Sequence, residues 1–197
     1  AEGNFRIRTS ASGMLKYYGV FSSNQLGFTV PSIDTLGYRD KFGLKNTYLY
    51  HNLSYKDRLG SQWKVAAGVS YTNSKDAING SLQDEAKKDV VLNGLEFKNF
   101  GLDRTGRYLN AKLVLDRRLR GLSSLRFGGE YNHSSDPSSY TDYNNNRYGG
   151  TLNQHISSLF AESDIYITNA IAAKVGGRAE YSSYLKRTNL APRASLA

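Results

Sequence analysis

Cysteine is absent from the 197-residue chain, which removes both a disulfide framework and a thiolate metal site without choosing a compartment. No run approaches the roughly 18 apolar residues of a spanning helix, and the residues after Ala1 do not read as a basic-then-apolar leader. Helical membrane proteins are thereby excluded. Barrels are not, because their strands need only about 9 to 11 alternating residues. Proline is scarce, at three residues, while tyrosine (15) and glycine (19) are plentiful, a balance that favours strands and turns over helices.

An apolar fraction of 39% sets the chain apart from disordered polymers, yet its mean hydropathy is low for a compact core. The length suits one domain or part of a larger one. Lys and Arg number 26 against 17 Asp and Glu, giving a net charge of +9. Those charges are spread along alternating segments rather than gathered into a stripe, which argues against a nucleic-acid partner.

Side chains on a strand alternate between its faces, and several stretches separate cleanly on that period. In AAKVGGRAEYSS (172–183), Ala173, Val175, Gly177, Ala179 and Tyr181 oppose Lys174, Gly176, Arg178, Glu180 and Ser182. From Phe5, the row Phe5, Ile7, Leu15, Tyr17 opposes Arg6, Arg8 and Lys16 in what reads as one strand. Trp63, Val65, Ala67, Val69 and Tyr71 oppose Lys64, Ala66, Gly68 and Ser70. Leu109, Ala111, Leu113 and Leu115 oppose Lys112 and Asp116, and Leu125, Phe127 and Tyr131 oppose Arg126 and Glu130. Helical spacing fits none of these.

Connections alternate in length. Tight turns join 46–58 with 62–74, 106–120 with 123–134 and, at Thr168-Asn169, 151–167 with 170–184; the stretches 22–45, 75–105 and 135–150 are long and polar. The expected fold is therefore all-β, with seven strands and the start of an eighth at 189–197 in up-and-down order. Short turns at one end and long loops at the other are the habit of outer-membrane barrels. A barrel places the apolar row against lipid and the charged row in a wet lumen, and closes because hydrocarbon tolerates no unpaired edge. Lipid-facing or girdle positions are then Tyr55, Trp63, Val65, Val69, Tyr71, Val175 and Tyr181, joined by Tyr17, Tyr131 and Tyr166. Lumen-facing positions are Arg6, Arg8, Lys16, Lys64, Lys112, Arg126, Glu130, Lys174, Arg178, Glu180 and Arg193, whose ordinary use is cross-strand pairing. The pattern stops at Ala197 without a closing girdle aromatic, so the chain reads as a piece of one larger barrel domain spanning 1–197.

Sites for chemistry are sparse. His51, His133 and His155 sit on different strands without metal-ligand spacing, so no metal, cofactor or catalytic residue is expected and the chain does not read as an enzyme. His51 falls on the apolar row, where a histidine is out of keeping. Asp84 to Asp89 is a mixed-charge run suited to one helical turn or a solvated surface. The glycine pairs Gly128-Gly129 and Gly176-Gly177 lie inside strands, where glycine relieves crowding. The best ligand-binding candidates are Tyr140, Asp142, Tyr143, Asn145, Arg147 and Tyr148, which interleave flat apolar faces with hydrogen-bonding groups in a loop.

The segments FAESDIY (160–166), VGGRAEY (175–181) and NLAPRASL (189–196) resemble the barrel of TonB-dependent outer-membrane receptors, which carry a FAE.DI strand, a GxRxEY strand and an N-L-(A/S)-P-R motif. Arg178, Glu180, Tyr181, Pro192 and Arg193 match those motifs. Stretches 44–76 and 125–134 are similar to hairpins of the versions common in Bacteroidetes. The resemblance implies a barrel of the 22-strand type in a Gram-negative outer membrane, with a plug that imports a nutrient ligand when TonB pulls. Its partners would be outer-membrane lipid, the rest of the barrel and plug, the TonB complex and a surface lipoprotein. Plug and TonB box are not among these residues, and ferric chelates, oligosaccharides, peptides and cobalamin all fit as ligands. Two other readings stay open on the residues alone: a complete small outer-membrane barrel with an adhesive or structural role, and a soluble basic β-domain that binds polyanions.

Overall fold

The computed structural model describes residues 1–168 and 171–196; Asn169, Ala170 and Ala197 fall outside it, and with them the turn expected at Thr168-Asn169 and the chain end. The elements are β1 (Glu2–Arg8), β2 (Met14–Pro31), β3 (Arg39–Leu59), β4 (Trp63–Gln83), β5 (Asp89–Val90), a 3-10 turn (Glu96–Lys98), β6 (Phe100–Arg118), β7 (Ser124–Thr141), β8 (Arg147–Tyr166), β9 (Ala172–Ser182) and β10 (Arg187–Leu196). They form one ten-stranded sheet in the order β1-β2-β3-β4-β6-β7-β8-β9-β10, with β5 on β4. Every pairing is antiparallel, and each long strand lies beside the next in sequence. The sheet is open, with β1 and β10 at its two ends.

The strand count corrects the expectation of seven to eight. Phe5 to Tyr17 is a hairpin rather than one strand, with Phe5 opposite Tyr17 and their rings stacked at 5.1 Å. Residues 9–13 make the turn, and their odd number preserves the alternation through it, so the period alone reads straight across. Ser10 and Ser12 hydroxyls donate to Asp57 of β3 at 3.0 and 2.7 Å, and Ser10 Oγ accepts the Gly13 N–H at 2.7 Å. The polar stretches are corrected too. Most of 22–45 and of 135–150 is strand, because β2, β3, β7 and β8 continue far past the apolar rows. Asp84 to Lys88 forms a tight turn, with the Lys88 N–H on Asp84 Oδ1 at 2.8 Å and Lys87 at φ 62, instead of a helical turn.

Register carries the alternation across the whole sheet. Tyr17, Leu53, Val69, Ala111, Tyr131, Ser157 and Tyr181 are successive cross-strand partners on one face. Lys112, Glu130, Ser158 and Glu180 are partners on the other. Tyr166 departs from expectation: it pairs with Ala172, one step from Ile165–Ala173, and so falls on the charged face. Little of the apolar surface is covered within the chain. Leu82 is the one fully buried apolar side chain among the described residues, whereas Val69, Leu113 and Val175 are 40%, 47% and 51% exposed. An apolar sheet face of this extent needs an apolar medium or another layer against it.

The glycine pairs divide. A Cβ on Gly128 would strike the Leu113 carbonyl oxygen and meet Phe160 Cζ at 2.9 Å, and one on Gly176 would meet the Ala161 carbonyl oxygen at 2.8 Å. Gly177 has open space around it, so crowding explains one member of that pair alone.

Candidate functional site

The charged face is a lattice of cross-strand ion pairs. Glu130 on β7 accepts from Asn110 Nδ2 at 3.2 Å and lies 3.8 Å from Lys112 and 3.6 Å from Arg178. Arg178 also reaches Glu180 at 3.0 Å. Lower on the strands, Glu162 is shared by Lys174 at 3.3 Å and Arg193 at 3.7 Å, and Arg126 Nε donates to Asp116 at 2.6 Å. Alternation on β6, β7, β8, β9 and β10 aims all of these to one side, where directly opposed residues are close enough to pair. Arg126, Glu130, Lys174 and Arg178 take part in cross-strand pairs, whereas Glu180 pairs with Arg178 of its own strand.

Beside this lattice lies a hollow of about 670 Å³ lined in part by Lys56, Arg58, Lys64, Arg126, Glu162 and Arg193. Among the described residues, the side-chain cations of Lys56, Arg58 and Lys64 have no carboxylate within 4.0 Å. Arg6 and Lys16 face each other directly, Arg8 pairs with Met14, and no carboxylate is within that distance of them either. The hollow therefore presents several side-chain cations that lack a carboxylate partner, a surface suited to water and anionic groups.

Above the lattice the two rows exchange character. On the charged side, Leu26 faces Leu44, Leu44 faces Ile78, and Ile78 faces Leu102. One step further, Phe28 and Phe42 stack at 5.2 Å, and Phe100 and Tyr140 stack at 6.3 Å. Tyr140 pairs with Tyr148, so two ligand candidates meet on this aromatic wall. The remaining candidates are dispersed. Arg147 lies on the opposite face, 3.5 Å from Asp103. Tyr143 is an exposed residue of the turn. Asp142 is occupied by that turn: its carboxylate accepts the N–H groups of Asn144 at 2.9 Å and Asn146 at 2.8 Å, and Asn145 adopts φ 62. Partial burial works against the Asp142 charge, but these bonds from Asn146 and Asn144, with Tyr148, outweigh it and hold its pKa below the ordinary carboxylate value.

A cap over β3 and β4 escaped the sequence reading. Lys98, at the end of the 3-10 turn, lies 2.6 Å from Asp34 and 2.7 Å from Asp40 and donates to Ser32 Oγ at 2.9 Å. Its side chain is 10% exposed. Burial opposes the ammonium charge, yet Asp34 and Asp40 overcome that and hold the Lys98 pKa above its usual value. Next to it Asn99 Nδ2 donates to the Val90 carbonyl at 2.8 Å and Asn99 Oδ1 accepts the Leu82 N–H at 3.1 Å. Asp89 takes the Gln83 amide at 2.8 Å and the Ser81 hydroxyl at 2.9 Å, which lowers its pKa, with Gln83 the larger cause.

The histidines form a border on the apolar face. His51, Tyr71, Leu109, His133 and His155 are successive partners on five neighbouring strands. His51 Nδ1 lies 2.6 Å from the Tyr17 hydroxyl, which gives this out-of-keeping residue a polar partner. His155 stacks on Tyr131 and tilts against Tyr181, each at 6.3 Å. At the opposite margin Arg117 sits over Trp63 at 5.2 Å. Among the described residues no three His, Cys, Asp or Glu side chains converge as metal ligands.

No protein-family model matches the chain, and no curated protein matches it in sequence. Solved structures do match in shape. The outer membrane transporter YddB from Escherichia coli superposes on 99% of this chain with a TM-score of 0.67, at 15% sequence identity. The chain spans 28% of that protein's length. The sheet therefore has the fold of an antiparallel, up-and-down outer-membrane barrel wall.

Proposed function

We propose that this sheet is a wall of an outer-membrane barrel that transports a ligand, with its charged face around an aqueous path and its apolar face against lipid. The observation that carries the reading is the registered separation of faces. An ion-pair lattice and a predominantly apolar surface share the same strands, bordered by Tyr and His at one margin and Trp63 at the other. Water accommodates the first surface and hydrocarbon the second.

Strand length supports the same reading. A membrane strand needs about 9 to 11 residues; β3 and β4 each have 21, so their upper halves project beyond the bilayer. That is where the rows exchange character, and the aromatic wall at Phe28, Phe42, Phe100, Tyr140 and Tyr148 then lines the mouth of the path, where flat apolar groups of an incoming ligand would stack. The likeness to an outer membrane transporter favours transport over an adhesive barrel. The resemblance of residues 160–196 to TonB-dependent receptors favours energised import of a nutrient through such a mouth. The import reading is tested by ligand uptake in cells with and without TonB. Uptake that needs TonB and falls when Tyr140 and Tyr148 are replaced by Ala supports it; TonB-independent uptake contradicts it.

A further inference from the structure

The exchange of rows leaves the opposite, apolar-side face with an unbalanced charge just above its border. On that face, beyond Leu49, Tyr71 and Leu109, stand Lys45, Lys75 and Arg107. All three are exposed, and among the described residues none has a carboxylate within 4.0 Å. The acid of this face nearby, Asp103, pairs with Arg147. The inward acids at this level have partners of their own: Asp136 takes Arg104 at 3.0 Å and Asp76 accepts from Asn46 at 2.5 Å.

Register sets the three cations on a diagonal. Lys75 faces Thr47 and Thr105, two residues from Lys45 and Arg107 respectively. Diagonal neighbours of this kind lie about 7–8 Å apart, within reach of one shared anion for side chains as long as Lys and Arg. Their height also follows. Arg107 is two residues past Leu109, and Lys45 and Lys75 are four past Leu49 and Tyr71, the last large apolar residues of this face; at about 3.3 Å per residue and about 40° tilt that is roughly 5 to 10 Å beyond the hydrocarbon edge, the level of the headgroups.

We propose that Lys45, Lys75 and Arg107 form a docking site for the phosphate groups of an anionic outer-leaflet glycolipid. Charge complementarity and continuity with the apolar face select this occupant: a phosphate at headgroup height is bound by three unpaired cations while its acyl chains cover Val69, Leu113 and Tyr131 below. The proposal rests on the reading of the apolar face as lipid-facing.

The test titrates the full-length protein in detergent with bisphosphorylated lipid A and reads bound lipid by native mass spectrometry. Lys45→Gln/Lys75→Gln/Arg107→Gln is expected to weaken binding at least about tenfold, as loss of several charge-assisted bonds implies. The charge-preserving Lys45→Arg/Lys75→Arg/Arg107→Lys retains binding, which separates charge from misfolding. Lys64→Gln/Lys112→Gln, on the other face, also retains it. Undiminished binding by the triple Gln variant overturns the proposal, as does equal affinity for phosphatidylglycerol. Failure of the underlying reading is distinguishable: a spin label at Val69 then escapes lipid-phase oxygen, whereas failure of the docking site alone leaves that contact intact.

Discussion

Lys98 Nζ lies 2.7 Å from Asp40 Oδ1, which fastens the 3-10 turn before β6 to the start of β3, 58 residues away in the chain. With Asp34 on the same ammonium, the contact holds residues 32–38 down on the cap. Lys98→Met leaves the two carboxylates without a cation and frees that loop. Chymotryptic cleavage after Leu36, which is 95% exposed, is expected to quicken about tenfold, corresponding to about 1.4 kcal/mol of local opening. An unchanged cleavage rate would show that the loop is held by something else.

Val69 and Ser70 are chain neighbours on opposite faces of β4. Val69→Arg puts a guanidinium into hydrocarbon and is expected to destabilise the assembled barrel by about 2–4 kcal/mol, whereas Ser70→Arg faces water and is tolerated. Urea unfolding in lipid vesicles measures both. Equal tolerance would contradict the assignment of faces.

Crowding at Gly128 gives a third expectation. Gly128→Ala drives a methyl into the Leu113 carbonyl, which no side-chain rotation relieves, and overpacking of this kind costs about 1–3 kcal/mol. Gly177→Ala enters open space and is expected to leave the unfolding midpoint unchanged.

The turn between β7 and β8 is pH-dependent through Asp142. Its pKa is depressed in the folded protein, so its stabilising contribution is present above the ordinary carboxylate value and is lost as pH falls through the lower folded value. Amide protection at Asn144 and Asn146 is expected to drop only as the pH falls below the ordinary carboxylate range. Asp142→Asn keeps an acceptor oxygen but no titrating group, so its protection is expected to be flat over the same fall in pH.

The period-2 separation of faces was legible in the residues because each side chain reports its own face, and the register of nine strands preserves what Trp63 to Tyr71 or Ala173 to Tyr181 display locally. Turns were less legible. The five residues 9–13 keep parity across the β1–β2 hairpin, so alternation alone does not mark the break between Arg8 and Met14. The upper strands were hidden by the exchange of rows: Leu26, Phe28 and Val30 alternate as cleanly as Trp63, Val65 and Ala67, but on the other parity and among polar neighbours that read as loop. Tyr140 and Tyr148 were found by composition, and pairing brings them together. Asp142 stands among the candidates as a hydrogen-bonding group, and its own turn consumes that capacity, an Asx-type pattern that Asp142-Tyr143-Asn144 carries in principle. The Lys98 cap joins segments with no common period, and nothing local announces it.

Nitroxide labels on the assembled protein in outer-membrane vesicles test the central claim most directly, because lipid-phase oxygen and a water-soluble nickel chelate report opposite surroundings. Labels at Val65, Val69 and Val175 are expected to collide with oxygen and be shielded from the chelate, and labels at Ser70, Lys112 and Arg178 to do the reverse. Valine positions shielded from both reagents, with Arg178 in contact with lipid, would contradict the account.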